Sequence, residues 1–321
     1  MCIAIVILNW RNSDDTLAAL SSVLASDYTD FKIIVCDNAS SDGSEEAFLN
    51  WSRTSPELSV GRFVSESDSS ECLAQAFAHR IVWVQTGGNL GFAGGNNVGL
   101  RLALRFGRFE YFWLLNNDCV VEPGAMRALR ERMQEDASLG MCGAQLRYFG
   151  DMQRVQAYGG ATHNLWTGCG RYVGHGEKVA SPHSVLDVER NLSYVCGASM
   201  FVRRSMIEKI GLMTEDYFLY FEEIDWAKRM QEQFRLGYCR EAVVYHKEGA
   251  TIGSSSDTRR TSRMADFYLF RNRLRFTARF YPYALPSVWA VMLLQAVRRG
   301  LRGRSERMWL ILSIMLGLGK L

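Results

Sequence analysis

An α/β fold built on a mostly parallel central sheet is what the sequence predicts, on three observations. Apolar, β-branched or aromatic runs of strand length recur four times before residue 122, each followed by a stretch of helical character. The runs are continuous rather than alternating, as strands buried on both faces are. Each run gives way to a polar or glycine-rich segment, so these segments collect at one edge of the sheet, where open α/β sheets bind ligands.

Residues 3–8 are the first strand, followed by Asn9-Trp10-Arg11-Asn12 and, from Asp14-Asp15, a capped helix reaching Leu24. Residues 32–36 are the second. The loop that follows, from Asp37 and Asn38 to Ser44, is dense in side chains that make Asx turns and cap helices, which places a helix over 45–51. Residues 52–79 are polar and irregular in pattern and read as a variable excursion without function. Residues 81–85 are the third strand. The glycine-rich stretch from Gly87 to Asn97 then reads as a turn opening a helix over 98–106. Its backbone N–H groups could approach a phosphate, or its glycines could serve positive φ angles. The spacing matches neither the dinucleotide fingerprint nor the P-loop. The fourth strand, Phe112-Trp113-Leu114-Leu115, changes character abruptly at Asn116-Asn117-Asp118. Asp118 offers hard oxygen ligands to a divalent cation or closes a turn, and taken alone the turn is the simpler reading. Pro123 suits the first turn of a helix reaching about residue 136.

From about 139 to 200 the pattern shifts to shorter strands and loops, punctuated by glycines, with Tyr148, Tyr158, Trp166 and Tyr172 between them. These rings could stack on sugars or simply pack a core. Residues 194–202 read as one late strand and 205–210 as a short helix. The aromatic run from Tyr217 to Phe221 then meets Glu222, Glu223 and Asp225. Acids at a helix start are favoured by the helix dipole. Their apolar surroundings and mutual repulsion would also push a carboxylate pKa up toward general-base values. Helical spacing sets Glu222 and Asp225 on one face, with Glu223 turned roughly 100° from Glu222. Residues 243–246 are a short strand ending in His246, the same kind of position as Asp118, which raises metal or diphosphate contact beside a structural role.

The chain is long enough for a large core, and 48% hydrophobic with 22% charged residues is ordinary for a globular protein. Its charge is uneven. Residues 259–321 hold 13 Arg or Lys against Asp266 and Glu306, so a net +3 conceals an acidic body of −8 and a basic tail of +11. Residues 257–280 read as one long helix, followed by apolar runs at 287–297 and 308–318 with arginines between them. Each run is too short to span a bilayer. With Trp289 and Trp309 beside the arginines, they suit helices lying on an anionic membrane surface. Pairing of two chains into a homo-oligomer is the competing reading; nucleic acid is disfavoured, because the arginines alternate with apolar helices instead of lining a polar groove. The eight cysteines include no C-x-x-C pair and several lie in apolar runs, which favours a reducing compartment. No secretory signal opens the sequence, so the expected location is cytoplasmic, peripheral at the inner face of a bacterial membrane. The expected domains are a catalytic body over 1–256, with a donor half over 1–136 and an acceptor half over 137–256, and a basic tail over 257–321.

Six ordered motifs carry a resemblance: V-I-L-N-W at 6–10, V-C-D-N-A-S-S-D-G-S at 35–44, G-N-L-G-F-A-G-G-N-N-V-G at 88–99, L-L-N-N-D at 114–118, F-L-Y-F-E-E-I-D-W at 218–226 and V-V-Y-H at 243–246. With them residues 3–280 resemble the inverting, nucleotide-sugar-dependent glycosyltransferases of family 2, which have the GT-A fold, and among these the bacterial rhamnosyltransferase-like enzymes of surface-polysaccharide assembly. The resemblance implies that Asp37 accepts a hydrogen bond from the nucleobase. Asn9 and Asn38 would hold the nucleoside, and Asn89, Gly94, Asn97, Asn116 and Asn117 would line the donor pocket. Asp118 stands at the last position of the family's D-x-D metal motif, and His246 matches a position that completes the coordination of Mg2+ or Mn2+. Glu223 falls where the family places its general base, with Glu222 and Asp225 orienting the base or the acceptor. The implied partners are a dTDP- or UDP-sugar, rhamnose foremost, and a glycan or lipid-linked glycan acceptor.

One departure weakens the metal motif: Asn116 replaces its first acid, so the cation would be shared with the donor phosphates, or Asn116 would turn its amide to ribose or sugar. Two other functions fit the sequence less well. A nucleotidyltransferase would want a glycine- and lysine-rich phosphate loop, which residues 9–16 do not offer. An inactive membrane-associated scaffold that binds nucleotide sugar would survive Glu223→Gln unchanged.

Overall fold

The computed structural model describes residues 2–54, 65–180, 183–247 and 262–319. The first part of the chain runs β1 (Cys2–Asn9), α1 (Ser13–Leu24), β2 (Phe31–Asp37), α2 (Ser44–Arg53), α3 (Ser70–Phe77), β3 (Ile81–Gln85), α4 (Gly91–Phe106) and β4 (Phe109–Asn116). It continues as β5 (Cys119–Val121), α5 (Ala125–Glu135), β6 (Leu139–Tyr148), β7 (Asp151–Tyr158), β8 (Gly160–Asn164), β9 (Cys169–Tyr172), α6 (Val185–Asn191) and β10 (Tyr194–Val195). Next come β11 (Ser199–Arg203), α7 (Arg204–Ile210), α8 (Glu222–Met230) and β12 (Arg235–His246). The last helices are α9 (Arg263–Phe280), α10 (Leu285–Leu301) and α11 (Ser305–Met315).

The main sheet is ordered β3-β2-β1-β4-β11-β6-β12-β5, with β7 on β6. β3, β2, β1 and β4 run parallel, β11 is antiparallel between β4 and β6, and β12 runs parallel to β6. Alternate residues of the continuous runs face two separate cores. Ile3, Ile5, Ile7 and Trp113 pack with Leu20, Met126 and Leu129 from α1 and α5, while Ala4, Val6, Phe112 and Leu114 pack with Val98, Leu102 and Trp226 from α4 and α8. Both faces are therefore dry, which is why these strands show no alternation. Each fully buried aliphatic side chain contributes about 1.5–3 kcal/mol relative to exposure. A small sheet, β10-β8-β9, stands apart from the main one.

Several local expectations are corrected. The helix that the glycine-rich stretch opens starts at Gly91, not at 98, and takes in the later part of the stretch; Gly87 and Gly91 have the positive φ, 80° and 73°, of one of its two readings. The glycines farther into the helix serve close packing, since a Cβ on Gly95 would stand 2.8 Å from Asn38 Oδ1 and one on Gly99 2.7 Å from Val6 Cγ1. The excursion at 52–79 contains α3, which buries Leu73, Ala76 and Phe77; residues 55–64 lie outside the described ones. α5 begins only at Ala125, two residues past Pro123. The strand expected at 194–202 is broken between β10 and β11, and the short strand at 243–246 is the end of the twelve-residue β12. Of the helix expected over 257–280, the part before residue 262 lies outside the described residues.

Candidate active site

Strand register brings the polar ends of β1, β2 and β4 level: Asn9 pairs with Asp37, and Leu8 with Asn116. Asn9 Nδ2 donates to Asp37 Oδ1 at 2.6 Å, Ser40 N donates to Asp37 Oδ2 at 3.2 Å, and Thr16 Oγ1 donates to Asn9 Oδ1 at 2.6 Å. Asn117 joins this chain by donating to Thr16 Oγ1 at 3.1 Å. Asn38 Nδ2 donates to Gly91 O at 3.0 Å and lies 3.4 Å from Asn89 Oδ1, tying the second strand to the start of α4. Asn9, Asp37, Asn38, Asn89, Asn116 and Asn117 thus gather at one edge. Asn97 does not join them: it is buried, donates to Met213 O and Glu215 Oε1 at 2.9 Å each, and accepts from Met213 N. Its amide is consumed in fastening α4 to the segment before α8. Gly94 faces its own helix, where a Cβ would lie 2.7 Å from Leu90 Cβ.

Asp118 reaches His246 because β12 pairs with β5, setting His246 opposite Cys119. His246 Nε2 lies 3.1 Å from Asp118 Oδ1, and its Nδ1–H donates to Gln156 Oε1 at 2.9 Å. Burial pushes the Asp118 carboxyl pKa up, but His246 and Lys247 outweigh it and hold the group below its ordinary value. An ionised oxygen beside an imidazole nitrogen whose partner nitrogen is hydrogen-bonded is a chemically suitable start of a divalent-cation site. Cys119 completes a cluster with both. Its thiol, however, lies 3.4 Å from Ala198 O, and burial drives its pKa well up, so it remains a thiol and a poor ligand for a hard cation.

The first turn of α8 carries the three acids in unlike surroundings. Glu222 is buried, and desolvation with the neighbouring Glu223 drives its carboxyl pKa far up. Glu223 is partly buried, pushed up to about 7 by desolvation, and sits over the gap between β10 and β11. Gly197 lies in that gap, where a Cβ would collide with Glu223 Oε1. Tyr194 and Tyr172 adjoin the same carboxylate, and their pKa values are raised, Tyr194 by burial and then Glu223, Tyr172 by Cys196 and then burial. Asp225 is held by more partners than either glutamate. It is fully buried and accepts from Thr214 Oγ1 (2.8 Å), Tyr217 OH (3.0 Å), Arg229 Nε (2.8 Å) and Arg279 Nη1 (2.9 Å). It is a clamp joining α8 to α9.

Sequence reasoning missed Gln156, Gly197 and Asn272. Gln156 and Gly197 show no local pattern, and Asn272 is hidden among the arginines of the tail. A buried-face Asn inside a basic helix was the one available signal.

The pattern of the family described as "Glycosyltransferase like family 2" matches residues 2–266. The low-salt glycan biosynthesis hexosyltransferase Agl10 of Haloferax volcanii is 27% identical over 252 residues, covering 72% of this chain and 71% of its own. Among solved structures, the mannosyltransferase PcManGT of Pyrobaculum calidifontis, in complex with GDP-Man and Mn2+, aligns with a TM-score of 0.55 at 13% identity, covering 98% of this chain and 86% of its own. S. aureus TarS aligns with a TM-score of 0.51 at 12% identity, covering 99% and 88%. The fold is thereby GT-A, with the C-terminal helices added to it.

Proposed function

The chain belongs to glycosyltransferase family 2, and from that premise we propose that it transfers a sugar, with inversion, from a nucleoside-diphosphate donor to a hydroxyl of a glycan or lipid-linked glycan. The observation that carries this reading is Glu223. It is a carboxylate poised near neutrality, at the same sheet edge as the Asn9–Asp37–Asn38 cluster and the Asp118–His246 pair. With its pKa at about 7 it can take the acceptor's proton at physiological pH as the oxygen attacks the anomeric carbon. Glu222, whose carboxyl pKa desolvation and then Glu223 raise well above its ordinary value, is shifted toward its neutral form beside it. Asp37, Asn38 and Asn89 hold the nucleoside, and Asn116 and Asn117 border the sugar. Asp118 and His246 would hold Mg2+ or Mn2+, which when bound neutralises the diphosphate leaving group.

The proposed donor sugar is rhamnose on dTDP, supported by the motif resemblance; the hexosyltransferase relative keeps UDP- and GDP-hexoses in the test. The proposed site of action is the cytoplasmic face of the membrane. Among the described residues no helix is long and apolar enough to cross a membrane. Yet α10 leaves Trp289, Leu293, Val297 and Leu301, spaced four apart, exposed beside Arg298 and Arg302, an arrangement suited to an anionic interface. The test is nucleoside-diphosphate release from dTDP-rhamnose, UDP-glucose, UDP-GlcNAc and GDP-mannose with lipid-linked glycan extract, with and without Mn2+. Release that needs acceptor and disappears in Glu223→Gln supports the reading; release unaffected by that change sinks it.

A further inference from the structure

We propose that Asn272, in the C-terminal helix α9, is a positioning residue that holds Glu223 in its reactive place. The inference rests on the reading of Glu223 as the base. The segment leading into α8 is bent in a way that side-chain-bearing residues rarely adopt: Phe218, Tyr220 and Phe221 have φ of 67°, 65° and 78°. Such a backbone persists only where its surroundings over-determine it. Asn272 supplies that constraint from one side. Fully buried, its Nδ2 lies 2.9 Å from Tyr217 O, 2.7 Å from Leu219 O and 3.1 Å from Tyr220 O. Two N–H bonds are thus shared among three carbonyls. The Asn272 Oδ1 accepts from Arg271 Nε at 3.0 Å, which fixes the end of the amide that faces the loop, and Arg271 Nη2 also donates to Tyr217 O at 3.0 Å.

The remaining carbonyl is held from the opposite side. Phe92 N, in the first turn of α4, donates to Phe218 O at 2.8 Å, and a Cβ on Gly91 would collide with that oxygen. Carbonyls 217 to 220 are therefore engaged between α9 and α4, immediately ahead of Glu222 and Glu223. Without the amide, Leu219 O and Tyr220 O lose this donor, Tyr217 O keeps only the Arg271 guanidinium and Phe218 O only Phe92 N, so much of what offsets the cost of the left-handed bend is gone. Relaxation of the bend rotates the first turn of α8 and carries the Glu223 carboxylate away from Gly197.

The test uses the full chain, with release measured from whichever of dTDP-rhamnose, UDP-glucose and GDP-mannose the wild type turns over, and affinity for the matching nucleotide measured by calorimetry. Asn272→Asp keeps the size and removes both N–H donors; Asn272→Ser keeps one O–H donor. The expected result is a fall in kcat per folded molecule of about 100-fold for Asn272→Asp, a smaller fall for Asn272→Ser, and nucleotide Kd within about threefold of wild type. The acid limb of the pH–kcat profile should also move by about half a unit or more as the base changes surroundings. If Asn272→Asp does not fold, Asn272→Ser carries the same readings. Wild-type kcat and pH profile in the folded variants overturn the proposal, as does lost thermal stability with both unchanged. Inactive Glu223→Gln beside fully active Asn272 variants removes only this inference. An active Glu223→Gln, or a wild type that turns over none of the three donors, removes the base reading and this inference with it.

Discussion

Gly197→Ala is the sharpest probe of the base. A methyl group at this position would overlap Glu223 Oε1 and stand 3.2 Å from Cδ and 3.3 Å from Cγ of the same side chain. Restoring an ordinary contact of about 3.5–4.0 Å requires moving the carboxylate oxygen by on the order of 1 Å. The obstacle is the far end of a flexible side chain, not backbone, so Glu223 can yield by rotating and the fold should be little disturbed. A displacement of ~1 Å at a reacting group costs on the order of 100-fold in rate, equivalent to about 2.7 kcal/mol of barrier. The prediction is thus a kcat near 1% of wild type with melting temperature and nucleotide affinity nearly unchanged. Steady-state release of nucleoside diphosphate at saturating donor and acceptor measures the first, and thermal melts and calorimetry the others. A folded Gly197→Ala protein retaining more than a third of wild-type kcat would refute the placement of the base over this gap.

The two adjacent glutamates should separate cleanly. Glu223→Gln abolishes transfer, and in the wild type kcat rises with pH through about 7 as Glu223 loses its proton. Glu222→Gln, which puts a neutral group of the same size where burial disfavours the charged form, keeps most activity. Because the folded-state pKa of Glu222 is raised, its stabilising protonated state is lost as pH climbs above the usual carboxylate range, so the variant should melt higher than wild type at pH 9 but not at pH 5. For the cation, EDTA should remove turnover and Mn2+ or Mg2+ restore it. Asp118→Asn should abolish the response, and Gln156→Leu, which frees His246 Nδ1, should raise the Mn2+ concentration needed by ~10–100-fold in a titration of activity. For the membrane, Trp289→Ser with Leu293→Ser and Trp309→Ser should lose sedimentation with anionic vesicles while remaining folded. Unchanged pelleting would leave α10 and α11 without this role. Removing residues 281–321 outright is a poorer test, since Phe267 and Phe270 of α9 pack against Val288, Met292 and Ile311 and would be laid bare.

The parts legible in the sequence are those where one local pattern has one physical cause. Continuous apolar runs at 3–8 and 112–115 could only be strands covered on both faces, and the change at Asn116 marked the sheet edge because a dry strand cannot carry amides onward. Misreadings occurred where a pattern has two causes. Glycine permits a phosphate loop and close helix packing alike, and Gly95 and Gly99 serve the second. Three acids in one turn look alike in sequence, and the contacts that set Asp225 apart are not visible there. Its partners Arg229 and Arg279 lie at 4 and 54 residues' separation, and the distant one gives no signal along the chain. The same holds for Asn97 with Met213 and for His246 with Gln156, 90 residues apart.

This long-range wiring alters what the C-terminal segment is for. α9 presents two faces with different duties. Asn272, Arg279 and Phe276 are turned to the segment 217–225 that carries the acids, while Phe267 and Phe270 are turned to α10 and α11. Nor is the tail's positive charge all surface charge: Arg299 and Arg307 both bind the buried Asp266 of α9, fastening the last helices to it. A cation pair on a buried carboxylate is strongly destabilising to break, because it leaves the acid uncompensated. α10 and α11 are thereby fastened to α9, whose Asn272 contacts the bend before Glu223. In the proposed reading, α10 seats the enzyme on a surface while α9, fastened to it through Asp266, fixes the base that takes the acceptor's proton, so membrane binding and kcat should respond together to changes at Asp266.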